Sequence, residues 1–256
     1  MCHRPARFSV GRPPWASSKG CSVRSGEPLS VLTLLWRLRR YTSAWVGLHR
    51  IRNLDLRRQS LEHVVDEVFD FAGGFFEPVQ IRSEILEALR EVRELRPKYI
   101  VEVGTAGGGT LLLWSRVADP EATIVTIDLP GGEFGGGSSY LRVPLFRKLP
   151  LPGQTLHLIR GDSHDPKTLE LTKTYLQGHS ADFLFIDADH TERGVRADYD
   201  MYSPLVRAGG MIGFHDIAIT RPEYGVRTLW HELKAHHRTR DIVGEPLAYG
   251  IGLLYR

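Results

Sequence analysis

Two carboxylates and an imidazole arrive together in the stretch Phe183-Leu184-Phe185-Ile186-Asp187-Ala188-Asp189-His190. Four apolar residues without alternation suit a central parallel strand covered on both faces. The residues after such a strand sit at its carboxyl end, where open α/β sheets bind ligands, so Asp187, Asp189 and His190 are candidates for chemistry. His190 has two readings, a general base for a substrate hydroxyl or a helix-start residue bonded to its own loop. Asp189 reads as an acid favoured by a helix dipole.

A second group is Val101-Glu102-Val103-Gly104-Thr105-Ala106-Gly107-Gly108-Gly109-Thr110, a glycine-rich turn opening a helix, with Asp128 ending the next strand. Glycines let backbone approach a ligand, and an acid at the second strand's tip can hold two ribose hydroxyls. Gly104, Ala106 and Gly109 also pass as a loose dinucleotide fingerprint, with Asp128 at 19 residues beyond Gly109. Glu102 argues against a pyrophosphate, because a carboxylate beneath the turn repels phosphate and can attract a ligand that carries a cation. A third group is Gly161-Asp162-Ser163-His164-Asp165. Glu102, Asp128 and Asp162 could each be a capping or solvated acid. Function is preferred because all three fall at strand carboxyl ends.

These groups sit on an alternation of elements. Strands are expected at 99–103, 123–128, 156–160, 182–187, 211–214, 241–245 and 249–255. Helices are expected at 79–95, 109–117, near 149, 166–177, 192–207 and 226–237. The order implies an α/β fold, a Rossmann-like, doubly wound and mostly parallel seven-stranded sheet. The short Glu245-Pro246 connection permits only an antiparallel hairpin between the last two strands. Gly135 to Gly137 read as a mobile loop. His231, His236 and His237 are expected on an exposed late helix, with Trp230 and Leu233 as its buried stripe.

Ahead of this domain, residues 1–29 are rich in Arg, Ser, Pro and Gly and read as a disordered basic segment, or as a transit peptide. Residues 30–76 read as N-terminal helices. One carries the stripe Val31, Leu34, Leu35, Leu38 flanked by Arg37, Arg39 and Arg40, suited to a partner subunit, an anionic membrane or nucleic acid. Another is capped by Ser60 and buries Leu61, Val64, Val65, Val68 and Phe69. The third region, residues 77–256, is the catalytic candidate.

Charge divides along the same line. Residues 1–60 hold 12 basic residues against Glu27 and Asp55, whereas the rest holds 21 basic against 28 acidic. An acidic body argues against broad nucleic-acid contact. The two cysteines, Cys2 and Cys21, leave the domain without a disulfide framework or a thiolate metal site, which suits a reducing cytoplasm. No apolar run reaches the ~20 residues of a membrane span.

Taken together, the glycine-rich turn after Glu102, Asp128, the Gly161-Asp162-Ser163 group and the stretch from Ile186 to Ile217 resemble the class I S-adenosylmethionine-dependent methyltransferases. The nearest branch is that of small-molecule O-methyltransferases and cephalosporin-hydroxylase-like proteins. The resemblance spans roughly residues 77–255. It implies that Glu102, Gly104, Thr105 and Gly108 hold the methionine moiety of S-adenosyl-L-methionine, Asp128 its ribose, and Asp162 with Ser163 its adenine, with Asp187 beside the donor. It implies a divalent cation, Mg2+ or another, on Asp187, His215 and Asp216, and a catalytic set of Asp187, His190 and His215. His215 could instead be a proton acceptor. The expected activity is methyl transfer to a hydroxyl of a small molecule, a sugar or secondary metabolite, in a homo-oligomer formed through the N-terminal helices. Three alternatives stand beside it. They are a nicotinamide-dependent oxidoreductase, a metal phosphoesterase built on Gly161 to Asp165 and Phe214-His215-Asp216, and a scaffold or nucleic-acid-binding protein that keeps the fold without catalysis.

Overall fold

The computed structural model describes residues 31–130, 141–244 and 249–256. The expected disorder of 1–29, the cysteines, the Gly135–Gly137 loop and the Glu245-Pro246 connection lie outside them. Residues from Leu38 onward form a compact unit, the second of two along the chain, and the candidate site belongs entirely to it.

Helices α1 (Val31–Arg52), α2 (Leu61–Asp70) and α3 (Arg82–Leu95) precede the sheet. Ser60 caps α2 by accepting from the backbone N–H of His63, and Leu61, Val64, Val65 and Val68 form its buried stripe. The part of α1 in the second unit buries Ala44, Leu48 and Ile51, while Leu38 stays exposed. Arg116 anchors the end of α1, donating at 3.0 Å to the carbonyl of Ile51.

The alternation then runs β1 (Tyr99–Val103), α4 (Gly109–Val117), β2 (Thr123–Asp128), α5 (Val143–Phe146), β3 (Thr155–Arg160), α6 (Pro166–Leu176), β4 (Ala181–Ile186), α7 (Glu192–Tyr202), β5 (Val206–His215), α8 (Val226–Lys234), β6 (Arg238–Ile242) and β7 (Ile251–Tyr255). The sheet has seven strands in the order β3-β2-β1-β4-β5-β7-β6. All neighbours are parallel except β5–β7 and β6–β7, so the expected terminal hairpin forms and places β7 between β5 and β6. Two apolar clusters lie on its faces, one led by Trp114, Phe146, Phe183 and Phe185, the other by Tyr202, Phe214 and Trp230.

Some boundaries differ from the sequence expectation. The helix expected to reach 207 ends at Tyr202, because Pro204 cannot continue it and a short 3-10 turn, Ser203–Leu205, takes over. Strand β5 therefore starts five residues before Met211. Helix α8 stops at Lys234, so exposed His236 and His237 lie beyond it, and β6 begins at Arg238 rather than 241. No helix among the described residues is long and apolar enough to cross a membrane.

Candidate active site

The chain leaves β1 toward β2 on one side and later returns to β4 on the other, so a crevice opens between the carboxyl ends of β1 and β4. Gly104 sits at that point with φ +102°, and a Cβ there would lie 2.0 Å from the carbonyl oxygen of Asp187. Only glycine lets the two strand ends close up this way. Backbone bonds tie the end of β1 to both neighbours, to β2 from Gly104 N–H to Ile127 O at 2.9 Å and to β4 from Asp187 N–H to Val103 O at 2.8 Å. Above them lies a cleft of about 400 Å³. Gly104, Asp128, Asp162 and Ser163 line one end, and Asp187, His190, His215 and Asp216 line the other.

Three residues expected to touch a donor stand behind this wall. Glu102 is fully buried, its Oε2 accepts from Thr126 Oγ1 at 2.7 Å, and its Oε1 has no partner among the described residues. Burial pushes its carboxyl up to about 8. The charges of Asp187 and Asp128 add to the shift, against the pull of the Thr126 and Thr110 hydroxyls. Thr105 is buried with its hydroxyl on Thr126. Gly108 caps α4 at φ +84°, where a side chain would strike the ring of Phe146, so its lack of a Cβ serves packing.

At the other end two imidazoles and two carboxylates interlock. His215 Nδ1 donates to Asp187 Oδ1 at 3.1 Å and lies 3.2 Å from Asp216 Oδ1. His190 Nδ1 lies 2.7 Å from Asp216 Oδ2. Burial alone would lower the His215 pKa, but the neighbouring Asp187 and Asp216 overcome it and push the ring up to about 9. His190 is also raised, with burial opposed by the Asp216 bond and the charge of Asp187. Asp216 holds φ +66°, a conformation that costs a non-glycine residue about 1–2 kcal/mol.

The expected ligand set was Asp187, His215 and Asp216. The structure brings His215 against both of those carboxylates, and it also gathers Asp187, His190 and Asp216 with one ligand atom from each lying within 4.8 Å of the others. The two histidines differ in depth. His215 ends a central strand with its side chain 3% exposed and its Nδ1 turned to both carboxylates, while His190 enters from the loop after β4 at 15%.

Sequence reading missed four neighbours. Gln80, expected inside the helix at 79–95 but lying just ahead of α3, donates through Nε2 to Asp187 Oδ2 at 2.6 Å. Tyr224 stacks on His190 with ring centres 5.1 Å apart, and the N–H of Gly225 donates to the His190 carbonyl at 2.8 Å. Tyr249 meets His215 edge-on at 5.7 Å. Arg221 also lines the cleft. Asp189 accepts from the N–H of Thr191, the N-cap of α7.

The phosphoesterase grouping comes apart in space. His164 pairs with buried Asp198 at 3.2 Å, which drives its pKa up to about 9, and Asp165 is the N-cap of α6. Neither joins Asp216.

Comparison with known proteins agrees with this geometry. A family model described as a methyltransferase domain matches residues 101–217. An O-methyltransferase from Bacillus cereus, solved in complex with SAH, superposes with a TM-score of 0.53 at 18% identity, covering 86% of this chain and 100% of that one. The O-methyltransferase TomG from Streptomyces achromogenes, involved in tomaymycin synthesis and solved with SAM, gives 0.50 at 16% identity, covering 84% and 97%. The uncharacterized protein y4gI of Sinorhizobium fredii is 26% identical over 171 residues, 64% of this chain. This chain spans 18% of that relative's length. The structural likeness establishes the fold that these methyltransferases share, and the family model matches the stretch from β1 to the end of β5, somewhat less than half of the chain.

Proposed function

We propose, from the premise that this chain carries a class I methyltransferase domain, that it moves the sulfonium methyl of S-adenosylmethionine to a hydroxyl oxygen of a small molecule. The carrying observation is the meeting of an acid-lined cleft and two histidine–carboxylate pairs at one switch point of the sheet. The cleft's volume is that of a small-ligand site. Gly104 gives a ligand close access to backbone, Asp128 at the tip of β2 suits a ribose, and Asp162 with Ser163 suits an adenine edge. Acids on every side favour a cationic donor over a dinucleotide pyrophosphate, which the nicotinamide alternative would require.

The transfer is an in-line displacement, so the protein's work is alignment and removal of one proton. Asp216 on Nδ1 of His190 makes Nε2 the accepting nitrogen, and Tyr224 with Gly225 holds the ring in place. The acceptor's proton goes to His190, its oxygen forms the bond to carbon, the carbon–sulfur bond breaks, and the donor leaves as a neutral thioether. His215 carries the charge balance beneath, between Asp187 and Asp216.

The same residues favour a second version with a divalent cation. Two carboxylate oxygens and an imidazole nitrogen fit a transition ion better than hard magnesium. Asp187, Asp216 and His190 would hold it, and it would supply Lewis acidity toward the acceptor hydroxyl. Calorimetry with S-adenosylmethionine, its demethylated product and NAD tests the donor. Binding of the first two at micromolar strength is expected, and tight NAD binding with no adenosylmethionine binding would overturn the reading. Transfer of labelled methyl to a panel of hydroxylated sugars and phenols tests the acceptor class.

A further inference from the structure

A second cavity lies far from the cleft. It is open, about 340 Å³, and sits between the end of α1 and the connection from α5 to β3. Three cations line it, Arg52, Arg147 and Lys148, and no acid does. None of the three is ion-paired to a described residue, whereas Arg50 and Arg57 nearby are paired with Glu67 and Asp55. Gln154, also in the wall, spends its amide on the carbonyls of Ser115 and Asp119. Charge therefore sets what the cavity takes, and that is an anion.

The helix that supplies Arg52 says what carries the anion. Leu38, Trp45 and Arg52 are spaced by seven residues, so they share one face of α1 over about 21 Å. Leu38 is 53% exposed, Trp45 44% and Val46 84%, with exposed Arg39 and His49 beside them. The stripe that buries Ala44, Leu48 and Ile51 runs beside this line, about 90° further round the helix. A helix with exposed Leu38, Trp45 and Val46, basic flanks and a cationic cavity at its end brings together the two signals that hold a protein on an anionic membrane, apolar insertion and charge. Residues 152–154 lead into the start of β3, so the cavity lies toward the amino ends of the parallel strands and the cleft at their carboxyl ends. A protein docked this way keeps its cleft open to solvent.

We propose that this surface docks on the anionic face of a phospholipid membrane, with a headgroup phosphate among Arg52, Arg147 and Lys148 and with Trp45 and Val46 in the interface. The full chain should sediment with vesicles of phosphatidylcholine and phosphatidylglycerol, not with phosphatidylcholine alone, and less as salt rises. Neutralising two cations with Arg147→Ala and Lys148→Ala should weaken that binding on the order of 30-fold, with melting temperature and S-adenosylmethionine affinity unchanged. Both side chains are exposed, so folding is not at stake. Val46→Asp should weaken binding independently, through the apolar face.

Vesicle binding undiminished in the double variant would assign it to the basic residues ahead of α1 and overturn the proposal. So would absence of binding to anionic vesicles. Inorganic phosphate bound at the cavity without vesicle binding would make it a site for a soluble anion, and a dimer dissolved by Val46→Asp without vesicle binding would make the face a contact with a second copy. Either result also overturns it.

Discussion

Replacing Glu102 by Gln should stabilise the ligand-free protein in a pH-dependent way while weakening donor binding. The carboxyl is fully buried and titrates at about 8 in the folded protein against 4.5 as its ordinary value. Between those values the folded state binds one proton more than the unfolded chain, so stability falls as pH rises, by at most about 1.4 kcal/mol per unit. From pH 5 to pH 8 the loss is on the order of 2–4 kcal/mol. Glutamine copies the protonated carboxyl in shape, keeps an acceptor for the hydroxyl of Thr126, and has no charge to desolvate. Urea unfolding of both proteins at pH 5 and pH 8 should show the advantage of Glu102→Gln widening by that amount. His164, His190 and His215 also bind protons more tightly when folded, but their contribution is shared by both proteins and cancels in the difference. A cationic donor near Glu102 should draw its proton off, so calorimetry near pH 7 in two buffers of different ionisation enthalpy should detect proton release on binding to the wild type only. A stability difference that stays flat from pH 5 to 8, or a glutamine variant that is less stable at pH 8, would refute the argument that burial holds this carboxyl protonated.

Three further outcomes are expected. His190→Ala should lower kcat by about 10²–10⁴, and the wild-type rate should rise with pH along a limb above the ordinary histidine value, because the raised pKa keeps the base protonated at lower pH; a rate independent of both would remove His190 from proton transfer. Gly104→Ala should destabilise by more than about 3 kcal/mol, since the methyl meets backbone that cannot move and φ is positive, and a melting temperature within a degree of wild type would contradict the strand-end geometry. Asp187→Asn and Asp216→Asn should each abolish turnover and leave most donor affinity, with a chelator reproducing the loss under the cation version; a rate indifferent to chelator leaves the histidine-assisted version standing alone.

Most of the scaffold was legible because its signals are local. Four apolar residues before Asp187, the glycine turn after Glu102 and the Ser60 cap each report a backbone state through a few adjacent side chains, and the structure places strand, turn and helix there. Boundaries slipped where two signals competed, as at Ser203-Pro204, where an apolar pattern continued across a residue that cannot remain helical.

The sequence by itself determined that acids and imidazoles would stand at strand carboxyl ends, because the order of elements fixes that edge. Tertiary structure alone decided which of them touch. Gln80 reaches Asp187 across 107 positions, and no spacing rule encodes that distance. His190 stands nearer the cleft's surface than His215, 15% against 3% exposed, since depth depends on which strand is central. His164 turns to Asp198, because α7 happens to carry a buried acid beside that loop. Contacts of this kind depend on packing between elements, which a periodicity along the chain does not specify. The cationic cavity is the same case, as Arg52 and the Arg147-Lys148 pair become neighbours only once α1 is laid against the sheet.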